Sequence, residues 1–254
     1  MEIHFLGVGE ACDGNQPNTS ILLKTGAVET AGRILLDCGF SVPHRYLSLH
    51  PSAEELEILW ISHFHGDHFL GIPLLLLWFW EMNRAKPLTI IGPPGVEAKV
   101  KQAMELAYPN FISRFGYSLV FHEITPEEQL HVSDSTFKAA YNEHSQPSLS
   151  LRLELHGKSI FYSGDGRPTP MTRSLAHGCD IIIHEAYGFE DSVPGHGSIR
   201  ACLDFAREAG TKRLALVHMQ RDVRLQWVDE ITEFRGKYTD LEIMLPEKGS
   251  TIAL

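Results

Sequence analysis

The sequence predicts an α/β fold made of two sheets with helices on their outer faces. Short apolar runs separated by Gly, Pro and Asn are typical of buried strands, and in the second half of the chain such runs alternate with helix-length segments. Strands that are apolar on both faces need helices to cover them. The chain has 254 residues and no linker-like stretch, so we expect a single domain over residues 1–254.

The predicted elements follow the chain in order. Turn residues divide the first strands, and a buried strand at 57–62 runs into a glycine-containing turn. The apolar segment Phe69–Trp80 predicts a helix that is too short to span a bilayer, which needs about 20 residues. The predicted strands are Ile3–Val8, Ser20–Lys24, Arg33–Asp37, Glu57–Ser62, Leu88–Ile91, Leu119–Ile124, Thr136–Asn142, Leu149–Leu155, Ser159–Tyr162, Asp180–His184, Arg213–Val217 and Leu241–Leu245; the other predicted helices are Val96–Ala107, Ile199–Ala209 and Leu225–Arg235.

A cluster of titratable side chains follows the strand that ends at Ser62. Three imidazoles and one carboxylate lie within six consecutive residues, and burying such groups is costly unless something binds them. Imidazole and carboxylate are ligands for zinc, manganese and iron. The sequence therefore predicts a metal-binding loop between a strand and a helix, with the ligands His63, His65, Asp67 and His68.

Three more ligand candidates follow later strands: His144, Asp165 and His218. A strand-end histidine or aspartate carries little information by itself. Together, and in one chain with the cluster at 63–68, these three indicate a common metal centre, because the ends of parallel strands meet at one edge of a sheet.

Composition restricts the class of protein. The four cysteines are scattered without a CxxC pair, which argues against a disulfide framework or a cysteine zinc site and predicts a cytoplasmic protein. The N-terminus lacks the features of a signal peptide, and we expect no membrane association. The formal net charge of −10 weighs against strong binding to nucleic acid. Segment 150–224 is close to neutral and is the part least repulsive to a phosphate.

These motifs resemble the metallo-β-lactamase superfamily, and the ribonuclease Z branch in particular. The resemblance extends from the Phe5-Leu6-Gly7-Val8-Gly9 stretch to His218. It implies a four-layer αββα sandwich and a dinuclear centre, most simply two zinc ions, although manganese or iron also suits these ligands. In that centre one metal takes His63, His65 and His144, the other takes Asp67, His68 and His218, and Asp165 bridges them.

Two further motifs narrow the branch. His184-Glu185-Ala186 resembles the HEAT motif of ribonuclease Z, and Gly195-His196-Gly197-Ser198 resembles its GHS/T segment. The resemblance implies that Glu185 and His196 assist the leaving group, and that Asp67 orients a metal-held hydroxide that attacks phosphorus. Tyr187 stands where the motif has threonine, and Gly197 precedes the serine; both departures are expected to reshape the pocket.

The substrate is less well defined than the chemistry. Ribonuclease Z enzymes usually carry a long flexible arm that grips tRNA, whereas only 20 residues separate His144 from Asp165 here. We therefore expect a phosphodiesterase that acts on a small or cyclic phosphodiester, with RNA possible but not favoured, and with Arg167 or Arg221 contacting the phosphate. A glyoxalase II-like thioesterase, or another ester or lactone hydrolase, uses the same ligand types. A catalytically idle metal-binding scaffold is the alternative from a different class.

The apolar segment Phe69–Trp80 also bears on assembly. A helix that is apolar on nearly every face must be covered on all sides. The sequence therefore predicts a homodimer that uses part of this helix, and burial within one subunit is the competing interpretation.

Overall fold

The structure, a computed structural model, describes residues 1–25, 32–191 and 193–254; for residues 228–235 it describes the backbone only. Contacts between Cα atoms divide the chain into two compact units. The first consists of Met1–Gly7, Pro17–Glu123 and Lys248–Leu254, and the second of Val8–Gln16 and Ile124–Glu247. The single-domain interpretation stays a prediction.

The first unit is built on a seven-stranded mixed sheet in the order β14-β1-β2-β3-β4-β5-β6. Strands β3 to β6 run parallel, and β14, β1, β2 and β3 pair antiparallel. The strands are β1 Glu2–Gly7, β2 Ser20–Thr25, β3 Gly32–Leu36, β4 Leu56–Trp60, β5 Leu88–Gly92, β6 Leu119–Glu123 and β14 Thr251–Ala253; the helices are α1 Val42–Leu47, α2 Gly66–Phe69, α3 Ile72–Glu81, α4 Val96–Ala107 and a 3-10 helix Ile112–Arg114.

The second unit repeats this plan with a sheet in the order β13-β12-β11-β10-β9-β8-β7. Strands β10 to β13 run parallel, and β7 to β10 form antiparallel pairs. The strands are β7 Gln129–Val132, β8 Ser135–Tyr141, β9 Leu149–Leu155, β10 Lys158–Tyr162, β11 Ile181–Glu185, β12 Arg213–Val217 and β13 Glu242–Met244; the helices are α5 Pro170–Ala176, α6 Ile199–Glu208 and α7 Arg221–Lys237.

Each sheet packs helices against apolar side chains. In the first unit, buried residues of β3, β4 and β5 form one cluster with α3 and α4. In the second unit, residues of β11 and β12 cluster with α6. The sequence predicted two sheets with helices on their outer faces, because strands that are apolar on both faces must be covered on both sides. Each unit of the structure has one such sheet with helices packed on it. Among the described residues, no helix is long and apolar enough to cross a membrane.

The apolar segment Phe69–Trp80 is not one helix. Helix α2 ends at Phe69 and α3 begins at Ile72. Between them the amide of Gly71 donates to the carbonyl of Cys38 at 2.9 Å, and a Cβ on Gly71 would lie 2.1 Å from the carbonyl oxygen of Gly39. The close approach of residues 38–39 therefore requires glycine here and breaks the segment.

Helix α3 is largely covered inside the first unit. Ile72, Leu75, Leu76 and Phe79 are fully buried, whereas Trp78 and Trp80 are half-buried. Packing within the first unit therefore covers much of the apolar surface that the sequence analysis expected a second subunit to cover. The homodimer stays a prediction.

Candidate active site

The first unit presents four of the predicted metal ligands on the loop between β4 and α2. The loop follows the carboxyl end of β4, a position where parallel sheets commonly present functional groups. The rings of His63 and His68 lie 4.4 Å apart, and Nε2 of His63 is 3.1 Å from Nδ1 of His65. An oxygen of Asp67 lies 3.4 Å from Nε2 of His68. All four side chains belong to groups whose donor atoms suit a metal ion.

Asp37 orients two of these histidines. Its buried carboxylate accepts from Nδ1 of His68 at 2.8 Å and from the hydroxyl of Ser62 at 2.8 Å. Because that hydroxyl donates to Asp37, its oxygen accepts from Nδ1 of His63, 2.9 Å away. The hydrogen-bond network thus assigns the proton to Nδ1 in both rings and leaves both Nε2 lone pairs for a metal.

The backbone holds this loop against the end of β3. The amide of Asp37 donates to the carbonyl of Trp60, and the amide of Cys38 donates to the carbonyl of His68, each at 2.8 Å. Asp37 has a φ of 59°, a left-handed conformation that aspartate tolerates better than most residues. The carboxylate is therefore carried on a turn that is itself tied to the loop it orients.

The second unit presents the remaining three predicted ligands at the ends of three strands. His144 follows β8, Asp165 follows β10 and His218 follows β12. Nε2 of His218 lies 3.4 Å from an oxygen of Asp165, and both side chains are buried. Nδ1 of His144 donates to the carbonyl of Gly195 at 2.7 Å, so the ring lone pair is on Nε2, the atom predicted to bind metal.

The loop that carries Asp165 is tightly packed. Gly166 has a φ of 128°, and a Cβ there would lie 2.5 Å from Cβ of Asn142. The side-chain amide of Asn142 donates to the backbone carbonyls of Ser163 and Asp165. Its oxygen accepts from the hydroxyl of Ser150 at 2.9 Å. The turn after β10 is therefore fixed by close contact, by the side chain of Asn142 and by the carboxylate of Glu185, which accepts from the amide of Gly166 at 2.9 Å.

Glu185 and His196 form a hydrogen-bonded pair in this unit. Glu185 is fully buried at the end of β11, and one of its oxygens lies 3.2 Å from Nδ1 of His196. Burial disfavours the charged imidazole, but the hydrogen bond and negative charge of Glu185 outweigh it, so the pKa of His196 lies above its ordinary value. Glu185, His196 and His218 present ligand atoms within 4.8 Å of one another. A titratable imidazole held by a buried carboxylate thus lies beside the predicted metal ligand His218.

Comparison with known proteins identifies the family. A family model described as a beta-lactamase superfamily domain matches residues 32–219. A ribonuclease Z of Methanothermobacter thermautotrophicus is 30% identical, with 86% of each chain covered. One of Methanosarcina mazei is 26% identical over 86% of this chain and 87% of its own. The crystal structure of the short form of human tRNase Z superposes with a TM-score of 0.78 at 24% identity, covering 100% of this chain and 99% of that one.

The chain belongs to the beta-lactamase superfamily. Within it, the relatives are ribonuclease Z enzymes, so the predicted resemblance is confirmed. The fold class is confirmed as well: two mixed sheets with flanking helices are those of the metallo-β-lactamase αββα sandwich.

The two arginines predicted to bind phosphate already have partners. The guanidinium of Arg167 donates to the carbonyls of His196 and Val193, each at 3.0 Å, and thereby ties the loop of His196 to the turn after β10. Arg221 pairs with Glu10 at 2.6 Å. A guanidinium has five N–H donors, so these contacts do not prevent either arginine from also binding a phosphate. Their contact with phosphate stays a prediction.

Three polar residues of the site are missing from the sequence interpretation: Asp37, Ser62 and Asn142. The signal for Asp37 was available. It follows β3, which pairs in parallel with β4, so its carboxylate and the metal-binding loop are expected at one edge of the sheet. For Ser62 and Asn142 no sequence signal exists, because serine and asparagine at strand ends are common turn residues.

Proposed function

We propose that this protein is a dinuclear zinc phosphodiesterase that cleaves small phosphodiesters and uses His196 as the acid for the leaving group. As a member of the ribonuclease Z family, the chain is a metal-dependent phosphodiester hydrolase. The observation that supports this mechanism is the hydrogen-bonded pair of Glu185 and His196. It places a group that can donate a proton next to His218, a proposed metal ligand.

The donor set of each unit fits metal ions. In the first unit Nε2 of His63 and of His68 carry the ring lone pairs, and in the second unit Nε2 of His144 does so. Such hydrogen bonds to the other ring nitrogen are usual for metal-bound histidine. We assign His63, His65 and His144 to one metal, Asp67, His68 and His218 to the second, and Asp165 to both.

Bound metals lower the pKa of a coordinated water and neutralise charge on phosphoryl oxygens. The protein's own groups do the remaining work. Asp67 orients the attacking water. His196, with Nδ1 held by Glu185, directs Nε2 towards the departing oxygen and donates its proton there. The hydrogen bond from Nδ1 to the carboxylate of Glu185 favours the protonated form of the ring.

Charge and topology favour a small substrate. The chain carries a formal net charge of −10, and tight RNA binding requires several phosphate contacts from lysine or arginine. Between His144 and Asp165 the chain forms only strands β9 and β10 joined by a turn at His156 and Gly157, whose φ values of 51° and 74° suit a two-residue hairpin. No gripping arm therefore lies in this segment.

A substrate screen tests the proposal. Purified protein with added Zn²⁺ or Mn²⁺ is assayed on bis(p-nitrophenyl) phosphate, cyclic nucleotides, a tRNA precursor and thioesters. We expect small diesters to be cleaved at least as readily as tRNA, and turnover of tRNA to fall steeply with salt. Specific cleavage of tRNA at its 3′ end at physiological salt, with negligible turnover of small diesters, would contradict the proposed substrate. Preferential thioester hydrolysis would contradict the phosphodiesterase.

The variant His196→Ala tests the acid. Turnover of a diester with an alkoxide leaving group should fall by about 10²–10⁴-fold. Turnover of bis(p-nitrophenyl) phosphate should change much less, because p-nitrophenolate leaves without a proton. His177→Ala is the control, since His177 is exposed and outside the site. Equal losses on both substrates would rule out proton donation by His196.

A further inference from the structure

An aromatic ring covers one face of His196. The ring of Tyr187 lies 4.7 Å from the imidazole, with an angle of 32° between the two planes. Tyr187 also lies 6.3 Å from the ring of His218. The other contacts are with histidines: His218 stacks at 6.0 Å and His144 meets the ring edge-on at 5.1 Å. The imidazole thus has three aromatic neighbours, of which only Tyr187 is not a proposed metal ligand.

Glu185 cannot orient His196 alone. Its carboxylate already accepts from the amides of Gly166 and Gly197 at 2.9 Å and of Tyr187 at 3.0 Å. These bonds hold the carboxylate rigidly and fix the position of Nδ1. The hydrogen bond to Nδ1 is long at 3.2 Å and restrains rotation of the imidazole about its Cβ–Cγ bond only loosely, because terminal torsions of aromatic side chains are broad. A ring packed on the face of the imidazole removes this freedom.

The backbone places Tyr187 firmly beside the pair. Its amide is bonded to Glu185, and its carbonyl accepts from the amide of Gln220 at 2.9 Å. The residue therefore joins the end of β11 to the segment that follows β12. Its side chain is partly exposed, so its ring lies at the edge of the site rather than in the core.

We propose that Tyr187 is a positioning residue for His196: its ring holds the imidazole plane at the angle from which Nε2 reaches the leaving oxygen. This inference rests on the proposed function. The ring supplies the effect and the hydroxyl does not, since the contact with His196 is between ring faces. Tyr187 also stands where the HEAT motif has threonine, so the proposed positioning role is specific to a residue of this chain and is not part of the motif.

The test uses Tyr187→Thr and Tyr187→Phe. Steady-state kinetics are measured on bis(p-nitrophenyl) phosphate and on the alkyl diester that the wild-type protein cleaves fastest. We expect Tyr187→Thr to lower kcat on the alkyl diester by about 10- to 100-fold, the effect of a misplaced catalytic group, with much smaller change on bis(p-nitrophenyl) phosphate. Tyr187→Phe should recover most of this loss. Phe189→Thr is the matched control, because Phe189 packs on Trp227 instead.

A double mutant separates positioning from other roles. In the His196→Ala background, Tyr187→Thr should cause no further loss on the alkyl diester, because the two residues act as one unit. Equal losses on both substrates, or losses that add in the double mutant, would overturn the inference and leave Tyr187 as a structural residue. A raised KM with unchanged kcat would also overturn it and make the ring a substrate contact.

Failure of the inference is distinguishable from failure of the proposed function. If His196→Ala shows the leaving-group dependence and Tyr187→Thr does not, only the role of Tyr187 is withdrawn. If His196→Ala itself shows none, the acid role is withdrawn and the inference with it. Thermal melting of each variant shows whether any loss of kcat follows loss of the fold.

Discussion

In the first unit the four predicted ligands lie within six consecutive residues, whereas in the second unit three ligands follow three different strands. The first set needs only one loop, the segment between β4 and α2. The second set depends on the register of β8, β10 and β12 and is assembled only when the sheet is complete. We call the first set the local half, because one loop carries all of its residues. We call the second set the dispersed half, because the topology of the sheet brings its residues together: His144, Asp165 and His218.

The two halves also orient their ligands differently. In the first unit a buried carboxylate, Asp37, fixes His68 directly and His63 through Ser62. In the second unit a neutral group, the carbonyl of Gly195, holds His144. The turn of Asp165 is held by the side-chain amide of Asn142 and also by the carboxylate of Glu185, which accepts from the amide of Gly166. Hydrogen bonds to a charged group are roughly twice as strong as neutral ones. The first half should therefore lose more when its orienting residue is removed.

The largest effect is expected where the dispersed half supplies a ligand. Asp165→Ala should abolish phosphodiester hydrolysis and lower the metal content of the protein, because this variant removes the proposed bridge. The fold should survive, since Asp165 lies on a turn after β10 and not within the core. Metal analysis, circular dichroism and turnover of bis(p-nitrophenyl) phosphate check these outcomes.

Asp165→Asn sharpens this test. It keeps the size of the side chain and removes the charge, so it should also lose activity if the carboxylate is a ligand. Near-normal turnover in both variants would show that Asp165 is not part of the centre, and that the dispersed half contributes less than the local one.

The next effect concerns the carboxylate of the local half. Asp37→Ala leaves the amide and hydroxyl of Ser62 and Nδ1 of His68 without their acceptor. We expect metal affinity and activity to fall about 10- to 100-fold, as for other residues that orient metal ligands. Stability should fall by on the order of 3 kcal/mol, because buried donors lose a charged partner. Metal titration and chemical denaturation measure the two effects.

Asp180→Ala is the matched control for Asp37. Its carboxylate also accepts from the amide and hydroxyl of a serine, Ser159, at 2.8 and 3.1 Å, but it orients no histidine. The control should lose some stability and keep its metal affinity. If both variants lose metal equally, the effect of Asp37 comes from general destabilisation.

The local half was open to prediction because its chemistry is written in consecutive residues. Imidazole and carboxylate at such spacing after an apolar strand have few uses other than metal binding. The later ligands carried little information individually and indicated a metal centre only together, at strand ends and in one chain with the cluster at 63–68. Tyr187 and Asn142 were out of reach: a ring against His196 and an amide bridging Ser163 and Asp165 depend on contacts that spacing does not encode.

Most strands and long helices of the fold were predicted within a few residues, because apolar runs between turn residues are strong signals. The missed elements are short and lie at edges or on loops, where burial is weak or local: helices α1 and α5, the 3-10 helix Ile112–Arg114, and strands β7 and β14. The wrong boundary, a continuous helix over Phe69–Trp80, came from reading hydrophobicity without the contact that Gly71 makes with Cys38 and Gly39.

The smallest effect is expected from Asn142→Ala, which removes the neutral orienting group of the dispersed half. The carbonyls of Ser163 and Asp165 lose the side-chain amide as a donor, and the hydroxyl of Ser150 remains 3.0 Å from the carbonyl of Ser163. Buried groups that lose a neutral partner cost about 1–3 kcal/mol. Metal affinity should fall less than in Asp37→Ala, because Asn142 contacts the backbone of the turn and no ligand nitrogen.

Ser150→Ala provides the comparison for Asn142. It removes the hydroxyl that lies 2.9 Å from the side-chain oxygen of Asn142 and 3.0 Å from the carbonyl of Ser163, and it leaves the side-chain amide of Asn142 in place. Stability from denaturation and metal affinity from titration are measured for both variants beside Asp37→Ala. A loss of metal affinity in Asn142→Ala as large as in Asp37→Ala would show that a neutral orienting side chain matters as much as a charged one. The stability of the turn after β10, rather than the charge of the orienting group, would then determine how well the ligands are held.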